Sequence, residues 1–353
     1  MSPANFAAEA LASLTDAQIS FLQALPKAEL HTHLNGSIPL PILQELAHAF
    51  LDKSSVNGSG GVSAVSESVK AGIERLELGV ELNEIHDFFS LFPAIYALTS
   101  TPQALRTVTL AILEAFLDGL KPQCTYLELR TTPRETPAMT RREYLEAVLA
   151  EMEKFDPEGR RVNLIVSVDR RMSEGVVDEI MDLAIALRDE GRRVVGIDLC
   201  GDPLAGDMYG FSKHFRRAKA AGFGITLHIA ETPDSPASET LHFLESFAPT
   251  RLGHATFLDE EAMKIVFDRD IPVEICLSSN LLCKTVKTLD DHHIRHYLQQ
   301  NHAIAICTDD TLPFRTDLLS EYALLLAKPP LGLGLSQEEV QEIANMSLSC
   351  RFI

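Results

Sequence analysis

Eight short apolar runs, separated mostly by helix-patterned stretches, constrain this chain more than any other feature. The runs lie at 28–34, 124–130, 162–169, 194–199, 224–229, 251–254, 272–276 and 303–308. Short, apolar and bounded by turn residues, they read as buried strands. Helical patterns fill the gaps at 141–155, 174–190, 209–221, 238–247, 260–270 and 290–300, with two more at 317–327 and from 337 onward. Alternation of strand and helix implies a parallel sheet of α/β class, and eight units imply a closed (β/α)8 TIM-type barrel. A doubly wound open sheet is the competing architecture. It is disfavoured because no Gly-rich dinucleotide fingerprint follows the early strands. Further helices are expected at 15–25, 39–51, 83–98 and 102–120, so the barrel carries extra N-terminal helices. The stretch 54–68, rich in Ser, Gly and Val, reads as a surface loop. Residues 1–353 are expected to form a single domain.

Charge narrows the partners. Fifty acidic residues against 31 basic give a formal net charge of −19. Such a chain repels nucleic acid and anionic membrane, whereas a free nucleotide can still enter a local basic pocket. None of the six cysteines forms a C-x-x-C pair, and four lie in apolar runs, which suits packed free thiols in a reducing compartment. No secretory leader and no stretch long enough to span a bilayer is evident, so a cytoplasmic monomer is expected.

In a barrel, chemistry gathers at the C-terminal strand ends. The first strand ends in His31-Thr-His33-Leu-Asn35-Gly36. Residues two apart on a strand share a face, so His31 and His33 project together. The fifth strand runs into His228-Ile-Ala-Glu231, the sixth ends in Gly253-His254 and the eighth in Thr308-Asp309-Asp310. Arg130-Thr131-Thr132-Pro133-Arg134, Asp169-Arg170-Arg171 and Cys200-Gly201-Asp202 end the second, third and fourth. His31, His33, His228 and Asp309 offer three nitrogens and one oxygen, a set that can hold zinc and leave a position for water. Zinc in such a site yields a hydroxide-like nucleophile at neutral pH. Glu231, three residues beyond a ligand, is placed to act as a general acid or base. His254 can orient or deprotonate the water, and Asp310 can reach the substrate.

The run Leu25-Pro-Lys-x-Glu-Leu-His-x-His-Leu-Asn-Gly-Ser37, with His228-x-x-Glu231, Gly253-His254-x-Thr and Thr308-Asp-Asp310, resembles the adenosine and AMP deaminase branch of the amidohydrolase barrels. It is most similar to the adenosine-deaminase-like group that acts on N6-methyl-AMP. The resemblance implies His31, His33, His228 and Asp309 as zinc ligands, with His33 also touching substrate. It implies Glu231 as proton donor to ring nitrogen N1, His254 as helper of the attacking water, Asp310 near N7 and the Gly201 backbone facing N3. Adenosine deaminases carry aspartate where this chain has Asn35. A carboxylate there repels a 5′-phosphate, whereas an amide can donate to it. Thr131, Thr132, Pro133 and Arg134 resemble the phosphate-contacting segment of the methyl-AMP group, and Asp169 matches a ligand-contacting position. Tyr96 departs from the histidine of that group, yet its hydroxyl can still donate to phosphate or ribose. The deaminase fold built on a Pro-Cys-x-x-Cys zinc site is excluded for want of the cysteine pair.

The resemblance implies a zinc-dependent hydrolase releasing methylamine from N6-methyl-AMP to give IMP. Adenosine deaminase proper is an alternative. So is a catalytically silent, metal-stabilised binding or signalling relative, which the intact Glu231 and His254 disfavour.

Overall fold

The structure is a computed structural model and describes residues 6–56, 67–119 and 121–352. Its strands are β1 (Ala28–His33), β2 (Tyr126–Thr131), β3 (Val162–Asp169), β4 (Val194–Cys200), β5 (Gly224–Ile229), β6 (Arg251–His254), β7 (Val273–Ile275) and β8 (Ile304–Ile306). They pair in parallel, in chain order, from β1 to β8. The expected TIM-type barrel is therefore present.

Closure between β8 and β1 is irregular, and that seam carries the site. Asp309 N donates to His31 O at 2.8 Å and His33 N to Asp309 O at 3.0 Å, beside an isolated bridge from Thr32 to Asp309. Lower down, the buried Glu29 carboxylate takes the place of a ladder rung. It accepts from His31 N at 2.8 Å and from Thr308 N at 3.0 Å. The seam thus holds His31, His33 and Asp309 against one another by main-chain bonds.

Several helices depart from the sequence reading. The expected helix at 83–98 breaks into Ile85–Phe89 and Phe92–Leu98, where Pro93 starts the second piece. The one at 102–120 ends as Pro102–Leu113 and a π-turn, Glu114–Asp118. The one at 290–300 shortens to Ile294–Gln299. Leu277–Leu282 forms a helix where only a strand end was expected; five of its six residues are buried, so no amphipathic period marks it. Phe6–Ala12 and Glu67–Leu78 are also helical. Leu40–Val56 runs through the first residues of the loop expected at 54–68, while residues 57–66 lie outside the described ones.

The barrel interior below the mouth is polar. Arg130, Arg251, Glu128, Glu274 and Asp198 are all fully buried. Arg251 pairs with Glu128 at 2.7 Å and with Glu274, and Arg130 pairs with Glu274 at 2.9 Å. Charges this deep persist only when paired and hydrogen-bonded. Phe352 closes the floor. Its ring lies 3.8 Å from the Arg251 guanidinium and fills the space beside Gly196 and Gly224. A Cβ on Gly224 would come within 2.3 Å of that ring, so only glycine leaves room for it.

Candidate active site

The strand-end residues converge at the barrel mouth. Nε2 of His33 lies 3.2 Å from Nε2 of His228, and Asp309 Oδ1 lies 3.5 Å from Nε2 of both His31 and His33. His31, His228, His254 and Asp309 each present a ligand atom within 4.8 Å of the others, and His33 joins through Asp309 and Asp310.

Partners beneath the mouth set the ring orientations. His31 Nδ1 meets Glu274 Oε2 at 2.6 Å, and His228 Nδ1 meets Asp198 Oδ1 at 3.0 Å and the Leu199 carbonyl at 2.9 Å. Those acceptors place the ring proton on Nδ1 and turn the Nε2 lone pairs into the mouth. His31 Nε2 is buried without a hydrogen-bond partner. Opposed lone pairs, an orphaned nitrogen and an adjacent carboxylate are what a divalent cation satisfies, so His31, His33, His228 and Asp309 fit a metal. Burial disfavours an imidazolium at His228, but the Asp198 charge outweighs it and lifts the group to about 9. A metal at Nε2 displaces that proton. Sequence reasoning missed Glu274 and Asp198. Each is a lone carboxylate inside an apolar strand, Val-Glu-Ile and Ile-Asp-Leu, and that was the available signal.

Acid groups ring the cluster. Burial, opposed by His228 and aided by the Asp309 charge, pushes Glu231 up to about 7. Burial and the Asp309 charge beside it raise Asp310 well above the ordinary carboxylate range, and among the described residues its Oδ1 is buried without a partner. A Cβ on Gly36 would lie 1.3 Å from that oxygen, which explains the glycine of the Asn-Gly-Ser run.

A cavity opens over these groups. Of the residues singled out from sequence, His33, Tyr96, Thr132, Asp169, Gly201, His228, Glu231, His254, Asp309 and Asp310 line it. Phe88, Phe89 and Phe92, from the broken helix, form an apolar side that sequence reasoning did not single out. Asp169 is committed to Arg171, which it binds at 2.9 and 2.6 Å. Asn35, Thr131, Pro133 and Arg134 are not in the cavity lining. Asn35 and Thr131 form a buried cluster with Thr99 and Tyr144, in which Asn35 Nδ2 donates to Thr99 Oγ1 at 3.0 Å and Tyr144 OH donates to Asn35 Oδ1 at 2.8 Å. Arg134 joins through Thr99 Oγ1 at 2.8 Å and stacks 4.0 Å from the Tyr96 ring. Its remaining bonds go to the Tyr96 and Thr99 carbonyls; among the described residues no carboxylate forms an ion pair with it.

Fold and donor set together are those of a metal-dependent amidohydrolase. A family profile described as adenosine deaminase matches residues 26–353. The N6-mAMP deaminase of Arabidopsis thaliana is 33% identical over 95% of this chain and 94% of its own. The N6-methyl-AMP deaminase of Homo sapiens is 32% identical over 94% and 90%. A solved structure of arabidopsis ADAL complexed with IMP, 33% identical, superimposes with a TM-score of 0.82 over 95% of this chain and 94% of that one. The chain belongs to the adenosine deaminase family.

Proposed function

We propose that this protein is a zinc-dependent hydrolytic deaminase of free purine nucleotides, converting N6-methyl-AMP and water to IMP and methylamine. The observation that carries the reading is the 33% identity, over 95% of the chain, to an N6-mAMP deaminase. His31, His33, His228 and Asp309 would hold the zinc. When bound, zinc supplies the Lewis acidity that makes water a nucleophile at neutral pH.

The chain's own groups do the rest. Glu231 gives a proton to ring nitrogen N1 as water adds at C6. His254, within 3.6 Å of Glu231, orients the incoming water. Asp310 binds at N7 and the Gly201 backbone faces N3. The C6–N6 bond then breaks; one proton of the added water leaves on the amine, the other restores Glu231, and the 6-oxo purine remains with its proton on N1. Tyr96 and Asp169 bound the sugar side of the cavity.

A nucleotide is favoured over a nucleoside by Arg134, which lies outside the cavity lining but stacks on Tyr96, a residue of that lining. Its charge is held by carbonyls and an aromatic ring, which leaves it available to an anion. Thr131, Thr132 and Pro133 shape the same corner, and Asn35 keeps a carboxylate out of it. The reading includes a single-domain monomer in the cytoplasm. All six cysteines are free and buried, which suits a reducing compartment. Among the described residues no helix is long and apolar enough to cross a membrane.

The test is a panel of AMP, N6-methyl-AMP, adenosine and N6-methyladenosine, with IMP and inosine separated by liquid chromatography. N6-methyl-AMP is expected to be turned over with the highest kcat/KM. A preference for the nucleosides overturns the substrate assignment and leaves the metal site standing.

A further inference from the structure

His254 is held differently from the other imidazoles at the mouth. His31 and His228 each anchor Nδ1 on an acceptor below. Among the described residues neither ring nitrogen of His254 has a hydrogen-bond partner, and the nearest carboxylate oxygens lie 3.6 Å away on Glu231 and 3.9 Å away on Asp309. With no bond to its ring, the aim of His254 is set by its backbone.

That backbone is strained. His254 has φ of 61° and Ala255 has φ of 48°, two successive residues in the left-handed region. A residue with a Cβ occupies that region at a cost and stays there only when its surroundings over-determine it. Here the surroundings are specific. Ala255 N donates to Ile229 O at 3.1 Å. The two carbonyls are tied by a single segment: His293 Nε2 meets His254 O at 2.9 Å, and Tyr297 OH donates to Ala255 O at 3.1 Å. A carbonyl only accepts, so His293 carries its proton on Nε2. Both side chains are buried, at the start of and within Ile294–Gln299, and neither lines the cavity.

We infer that His293 and Tyr297 are positioning residues, which hold His254 and Ala255 in the left-handed conformation and thereby aim the His254 imidazole at the metal cluster. The inference rests on the role given to His254 above. It assigns to the short helix Ile294–Gln299, before β8, a part in catalysis although neither anchoring side chain lines the cavity.

The test compares His293→Phe, which keeps a ring and loses the donor, with His293→Gln, which restores an N–H, and with Tyr297→Phe, which removes one hydroxyl. Steady-state kinetics on N6-methyl-AMP and zinc content by elemental analysis are read for each, beside His254→Ala. His293→Phe and Tyr297→Phe are expected to lower kcat roughly five- to tenfold, with KM and zinc content unchanged. His293→Gln is expected to recover most of the loss. Should His293→Phe not fold, Tyr297→Phe carries the comparison alone. A slow His254→Ala enzyme with unchanged kcat in both anchor variants overturns the inference. Parallel losses of zinc, KM and kcat overturn it too, since they mark general structural damage. If His254→Ala itself keeps its kcat, the role of His254 is what fails, and the anchoring fails with it.

Discussion

Nε2 of His33 and Nε2 of His228 face each other at 3.2 Å across the barrel mouth, on strands that lie far apart in the chain. His228 has already committed Nδ1 to Asp198 and to the Leu199 carbonyl. Its Nε2 therefore points at a second imidazole, an arrangement that a shared cation makes favourable by displacing the proton there.

The purified protein is accordingly expected to carry about one zinc per chain, and chelation should abolish its activity. Asp198→Asn should weaken zinc binding by roughly 10- to 100-fold in chelator competition, because it alters the acceptor that orients His228. Full activity with no metal detectable by elemental analysis excludes the ion.

Glu231 lies beside the cluster without being one of the four fitted donors. Glu231→Gln should keep the metal and the fold while lowering kcat by roughly 10²-fold or more. Loss of zinc in a folded Glu231→Gln protein would show that the carboxylate is a ligand.

Arg134 and Asn35 test the phosphate. Removing one charge-assisted contact costs about 1.5–3 kcal/mol, so Arg134→Ala should lower kcat/KM for N6-methyl-AMP by about one to two powers of ten. Any residual nucleoside turnover should change little. Asn35→Asp places a carboxylate in the same cluster and should shift preference toward the nucleoside. Equal losses on nucleotide and nucleoside would mean that the Thr99 cluster serves the pocket's shape instead.

Glu321 makes stability depend on pH. Its carboxylate accepts from Ser278 N at 3.1 Å and Thr316 Oγ1 at 2.6 Å, yet burial outweighs these bonds and raises it from 4.5 to about 7. A raised carboxyl contributes fully below its unfolded value, and that contribution is lost as pH rises through the folded value. The loss amounts to about 3 kcal/mol. Glu321→Gln mimics the protonated form, so its Tm relative to wild type should rise between about pH 5 and about pH 8. A constant Tm difference across that window would show that Glu321 is ionised throughout.

The eight strands, their parallel order and the residues near their ends were legible in the sequence. Alternation along a strand is a local property, so His31 and His33 had to share a face. The barrel then had to bring His228, Glu231, His254 and Asp309 to the same end. Its family motifs named the same residues. What lies under and beside them depends on contacts that form when the barrel closes. Glu274 and Asp198 are single carboxylates in apolar strands, and nothing local says which imidazole each supports. The helix expected at 83–98 broke at Ser90–Leu91, just ahead of Pro93, and put Phe88 and Phe92 on the cavity wall. Arg134 left the cavity lining for Thr99 and Tyr96, while Arg171 entered it paired to Asp169. His293 and Tyr297 reached the carbonyls of His254 and Ala255, about forty positions earlier in the chain. Strand patterning depends on neighbours in sequence and is legible there. The partner of a buried charge or a strained carbonyl is whatever group the closed barrel brings within hydrogen-bond reach, and only closure selects it.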